Sequence, residues 1–126
     1  MNKYGAKKVV TPEGIFDSRQ EHRRWCELKL LERAGKVARL RRQVKYVLIP
    51  AQREESAEVY KAGPQNGLPK PGAIIEKQCV YKADFVYIDT ETGKEVVEDA
   101  KGVRTADYKI KRKLMLYRYG IRIKET

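Results

Sequence analysis

Between Ser18 and Gly35 the apolar residues Trp25, Leu28, Leu31 and Ala34 recur at the spacing of one helix face. Ser18 followed by Glu21 has the S-x-x-E spacing of a capping box, and Gly35 is a stop signal. The pattern predicts a helix opened by Phe16-Asp17-Ser18, with Glu21 on its buried stripe. From Val37 to Ile49 the pattern changes to β-branched and aromatic residues, Val44, Tyr46, Val47 and Ile49, interleaved with Arg39, Arg41, Arg42 and Lys45 and ended by Pro50. That is a strand with a basic outer side.

Residues 50–75 carry Pro50, Pro64, Pro69 and Pro71 with Gly63, Gly67 and Gly72, too much punctuation for a long regular element. A connection of this length is expected to be a functional or mobile loop. Two strands follow, Ile74 to Asp89 and Lys94 to Lys101, joined by the polar turn Thr90-Glu91-Thr92-Gly93 as a hairpin. Thr105 opens a last helix, Ala106 to Tyr119, whose expected apolar stripe is Ala106, Ile110, Leu114 and Tyr117. Gly120 ends it, and Ile121-Arg122-Ile123 reads as a final strand. Residues 1–15 are basic and pattern-poor, an arm. Residues 16–126 then form a single α/β domain with a mixed central sheet flanked by helices.

The hairpin permits a geometric deduction. A symmetric four-residue turn sets Asp89 opposite Lys94, Val86 opposite Val97, and Asp84 opposite Asp99. The two aspartates would then be cross-strand neighbours with Cβ atoms roughly 4.5–5.5 Å apart, where like charges destabilise the sheet unless a cation intervenes. Alternation adds Lys82 and Lys101 to the same face. Paired hard carboxylate oxygens suit Mg²⁺, which keeps several waters, and the carbonyl of Ala100 is a candidate third ligand. A metal held there lowers the pKa of a bound water and neutralises charge on a phosphate, with Lys101 placed to assist, which suits phosphodiester hydrolysis. Glu21 can reach the same ion or a second one. A bulge in the hairpin would instead make Glu98 the ligand.

Composition points the same way. The chain has 126 residues with 28 Lys or Arg against 17 Asp or Glu, a formal charge of +11. That length supports a core of its own, and the basic excess calls for a polyanionic partner. No apolar run approaches the ~18 residues of a membrane span, and the opening residues lack the apolar stretch of a secretory signal, so the expectation is cytoplasmic with no membrane. Cys26 and Cys79 are read as reduced, mostly buried thiols. His22, the single histidine, is an ordinary helix residue, and Trp25 is core.

A helix-borne Glu21, then Asp84 within Tyr81-Lys82-Ala83-Asp84-Phe85, then Asp99-Ala100-Lys101 within Val97-Glu98-Asp99-Ala100-Lys101-Gly102, followed by a helix, resembles the PD-(D/E)xK nuclease superfamily. The match spans residues 16–119. With Phe16-Asp17-Ser18, the Lys101-Gly102 step and the Lys-rich last helix, it is similar to small phage- and prophage-encoded members. The resemblance implies a restriction-endonuclease-like core, Glu21, Asp84, Asp99 and Lys101 as catalytic residues, and DNA as substrate, branched or nicked as for junction-resolving members. It also implies a homodimer, and Mn²⁺ able to replace Mg²⁺. One departure is Asp99 where Glu is common.

Each residue has a plainer role. Glu21 also satisfies an exposed amide at the helix start. Asp84 and Asp99 can be solvated and paired with Lys82 and Lys101, although flanking Ala83, Phe85, Val86 and Val97 argue for a buried sheet centre. The cations of the last helix have few acids for i,i+4 pairing, so Lys109, Arg112 and Lys113, with Arg39, Arg41 and Arg42, are expected to contact phosphates. Tyr81, Tyr87, Tyr108, Tyr117 and Tyr119 can stack on bases but more often complete a core. Two further classes stay open: a basic nucleic-acid-binding protein without catalysis, and a protein-binding scaffold.

Overall fold

The computed structural model describes residues 7–100 and 104–126, which divide into two compact units. The first combines the chain up to Tyr46 with Tyr81–Thr126, and the second is Val47–Val80. The element order is β1 (Val9–Thr11), β2 (Gly14–Phe16), α1 (Arg19–Arg33), β3 (Val37–Ile49), β4 (Gln52–Arg53), β5 (Ile74–Glu76), β6 (Cys79–Asp89), β7 (Glu95–Asp99), α2 (Ala106–Tyr119) and β8 (Lys124–Glu125). The fold is mixed α/β, with two helices and a four-stranded mixed sheet in the order β3-β6-β7-β8. β6 and β7 are antiparallel, and β7 and β8 parallel.

Ser18 caps α1 by accepting the Glu21 amide at 3.1 Å. The helix lays Leu28, Trp25 and Leu31 against Phe85, Tyr87, Val37 and Ala100, with the Trp25 and Phe85 rings stacked 6.1 Å apart. Apolar burial of this kind supplies most of a short helix's stability. Beneath this layer lies Glu98, wholly buried. Arg24 grips it from α1 through two nitrogens, while Tyr87 donates its hydroxyl at 2.6 Å and Thr126 at 3.2 Å. The Glu98 hydrogen bond outweighs burial and raises the Arg24 pKa, so the guanidinium stays charged.

Several sequence expectations shift. Residues 9–15, read as part of an arm, form the β1–β2 hairpin together with Phe16, which is 0% exposed. The strand expected from Ile74 to Asp89 is interrupted: Ile74–Glu76 pairs with β4 in the second unit, where Gly72 packs so close to the Glu54 carbonyl that a side chain would collide. In α2 the buried residues are Tyr108 and Met115, whereas Ile110 and Tyr117 are exposed. The aromatic contact between Tyr108 and Tyr81 rotates the helix away from its most aliphatic stripe. The last strand starts at Lys124 rather than Ile121. Gly120 adopts a left-handed conformation and Ile121 donates its amide to the Met115 carbonyl, so the first residues after the helix are taken up in its cap. Cys26 is exposed and Cys79 half-buried, and both are free thiols. No helix among the described residues is long and apolar enough to cross a membrane.

Replacing Arg24 with Ala strands the buried Glu98 charge and should lower stability by about 3–5 kcal/mol in urea denaturation. The exposed pair between Arg41 and Glu95 offers the contrast: Arg41→Ala should cost no more than about 1 kcal/mol.

Candidate active site

The β6–β7 ladder sets Phe85 opposite Glu98, Val86 opposite Val97, Tyr87 opposite Val96 and Ile88 opposite Glu95 with no shift. One step further along this register, Asp84 stands beside Asp99. Both are buried, at 7% and 0% exposure. Because side chains alternate across a sheet, the two share the face opposite Phe85 and Glu98, away from the core cluster that packs on α1. The bulge that would have made Glu98 a ligand is not there. Glu98 belongs to Arg24 instead.

Each aspartate is aimed by a donor. The Ala100 amide donates to Asp84 Oδ2 at 2.9 Å, and the Tyr81 hydroxyl donates to Asp99 Oδ2 at 2.5 Å. Burial, followed by the charge of Asp99 and the hydrogen bond to it, pushes the Tyr81 phenol far above its ordinary value. Tyr108, 6.4 Å from Tyr81 between ring centroids, is raised first by burial and then by Asp99. Both phenols therefore remain proton donors well into the alkaline range.

Glu21 is buried and works at the start of α1. Its Oε2 accepts the Asp17 amide at 3.1 Å, and its Oε1 accepts Gln43 Nε2 at 3.1 Å, with Arg42 3.7 Å away. The capping role is thus present in the structure. Gln43 is also a wall of the cleft that holds Asp84, so Glu21 reaches the edge of that cleft through it. Gln43 has φ of 54°, a left-handed conformation costing about 1–3 kcal/mol for a residue with a side chain, and such strain concentrates at functional sites.

The cleft has a volume of about 320 Å³. β6 contributes Tyr81, Lys82 and Asp84, the start of α2 contributes Thr105, Asp107, Tyr108 and Lys111, and Asp17 and Gln43 complete it. Thr105 fixes this end of α2 by accepting the Tyr108 amide at 3.1 Å. Among the described residues, no three His, Cys, Asp or Glu side chains converge as a metal cluster. The donor set that the structure does assemble is the aspartate pair. Ala100, buried beside it, engages Asp84 through its amide. Lys101 lies outside the described residues.

The basic residues separate into two groups. Lys109, Lys113 and Arg39 are exposed, and Arg41 is exposed beside Glu95. Arg42 lies over the Phe16 ring at 3.7 Å and donates to the Ile15 carbonyl at 3.0 Å, so it holds the β1–β2 hairpin in place. Arg112 bonds Glu125 at 3.0 Å, and Arg104 bonds the same carboxylate. Burial pushes the Glu125 carboxyl up, but these two guanidinium groups outweigh it and hold the carboxyl below its ordinary value.

Sequence reasoning missed the roles of Tyr81, Gln43, Tyr108 and Lys111. Strict alternation would send Tyr81 to the α1 face with Ala83 and Phe85, yet its hydroxyl meets Asp99 on the other. Only the spacing of Lys111 one turn after Tyr108 carried a signal, and it is visible only once the buried side of α2 is known.

Tyr81→Phe should cost about 1–3 kcal/mol at neutral pH, since a buried carboxylate loses its donor. A phenol whose folded pKa lies above its unfolded value stabilises fully below pH 10 and loses that contribution as pH rises further. Denaturation curves above pH 10 should therefore show the parent losing stability more steeply than the Phe variant.

Among curated proteins and among solved structures, nothing matches the chain significantly. A family profile does, over residues 1–125, and it covers the hairpin, both helices, the sheet and the cleft. The chain belongs to the family described as "Protein of unknown function (DUF1064)".

Proposed function

We propose that this protein is a Mg²⁺-dependent DNA nuclease of the PD-(D/E)xK type, with a restriction-endonuclease-like core. The observation that carries the reading is the pair Asp84 and Asp99, buried side by side on one sheet face and each aimed by a hydrogen bond. The order helix, strand, hairpin, helix and parallel strand supports it. So does a charge of +11, which favours a polyanion.

Two hard carboxylates held this close fit a small divalent ion, and Asp84 and Asp99 are the residues that would hold it. When bound, Mg²⁺ or Mn²⁺ supplies a water of lowered pKa and charge neutralisation at a phosphate. The chain's own part is positional. Tyr81 fixes one Asp99 oxygen, the Ala100 amide fixes one Asp84 oxygen, and Gln43 links Glu21 to the cleft wall. Such locked side chains avoid reorganisation at the moment of reaction. Lys101, two residues after Asp99, is assigned to the phosphate or the attacking water.

The test is cleavage of supercoiled, linear and four-way-junction DNA with and without Mg²⁺ or Mn²⁺, comparing the parent with Asp84→Asn and Asp99→Asn. Metal-dependent cleavage, abolished in both variants while DNA binding persists, is the expected result. DNA binding with no cleavage by any of the three would leave a non-catalytic binding protein, and no DNA binding at all would end the nucleic-acid reading.

A further inference from the structure

Lys82 and Lys111 enter the cleft from different elements. Lys82 lies two residues before Asp84 on β6, and both residues line the cleft. Lys111 lies one turn after Tyr108, on the side of α2 that carries the buried Tyr108 and Met115, and it is half-buried. Lys109 and Lys113 are exposed. The side of α2 nearest Asp84 therefore presents a different lysine from those most open to solvent.

The charged groups facing these two lysines are Asp84, Asp17 and Asp107. Neutralising those acids is the plain role for the lysines, but among the described residues neither ammonium lies within 4.0 Å of a carboxylate. Lys111, half-buried and without an ion-pair partner, is placed to receive an anion from outside, and Lys82, exposed and lining the same cleft, is placed to join it. The anion must be an acceptor small enough to enter about 320 Å³ between two point charges, which describes a phosphate group.

We propose that Lys82 and Lys111 form a phosphate-binding site on the two walls of the cleft, seating a backbone phosphate of a nucleic-acid strand beside Asp84. The identity of the ligand rests on the nuclease reading, while the site itself rests on the placement of the two lysines. It assigns the closest phosphate contact to residues other than Lys109, Arg112 and Lys113. Of those, Arg112 is already bonded to Glu125.

The experiment measures the affinity of the whole protein for a fluorescein-labelled duplex oligonucleotide in EDTA across a series of salt concentrations. Each phosphate contact contributes about 0.9 to the slope of log affinity against log salt. Lys82→Met and Lys111→Met should each lower that slope by about 0.9, and Lys82→Arg and Lys111→Arg should restore it. In Mg²⁺ the Met variants should raise KM for cleavage more than they lower kcat, which a merely structural lysine would not do. A parent that binds DNA while both Met variants keep its slope would overturn this site and leave the nuclease reading standing. A parent with no salt-sensitive DNA affinity would overturn both. Equal slope losses in Lys109→Met and Lys113→Met, with none in the cleft variants, would move the contact to the outer face of α2 and refute the proposal.

Discussion

The unshifted antiparallel register of β6 and β7 decides where every acidic residue at the centre of the sheet points. A slip of one residue in one strand would exchange that strand's faces, sending its aspartate toward α1 or Glu98 toward the cleft. Nothing in the charge of a carboxylate makes that choice. It is made by the ladder, by the turn Thr90–Gly93, whose Asp89 and Lys94 close it with a 2.9 Å hydrogen bond, and by the apolar residues Phe85 and Tyr87, which bury on α1.

The result is two buried acidic sites, one on each side of the same pair of strands, handled by different physics. On the α1 side Glu98 is matched by a guanidinium and two hydroxyls, a closed arrangement in which charge and hydrogen-bonding capacity are provided by the chain. On the α2 side Asp84 and Asp99 are oriented by a backbone amide and a phenol, both neutral donors.

The cations follow a similar division. Arg42 and Arg112 spend their guanidinium groups on Phe16, the Ile15 carbonyl and Glu125, where planar, multidentate donors hold the hairpin and the terminal strand. Lysines, whose charge is compact and whose stems are flexible, occupy the cleft and the solvent side of α2. The net basic charge of the chain is thus partly structural, and its surface share is smaller than the composition suggests.

The sequence by itself determined the elements with strong local signals: α1 with its Ser18 and Glu21 cap, the strand from Val37 to Ile49, the hairpin turn, and the helix from Ala106 to Tyr119. It also determined the register of the hairpin, with Val86 opposite Val97, because a symmetric turn is a local rule. Only the tertiary structure decided which side of α2 is buried, that Arg42 folds back on Phe16, and that Tyr81 leaves strict alternation to reach Asp99. Those outcomes depend on contacts between residues far apart in the chain. Aromatic packing and the hydrogen-bonding demand of a buried carboxylate outweigh the hydrophobicity of any single stripe, and neither can be evaluated until the partner is in place.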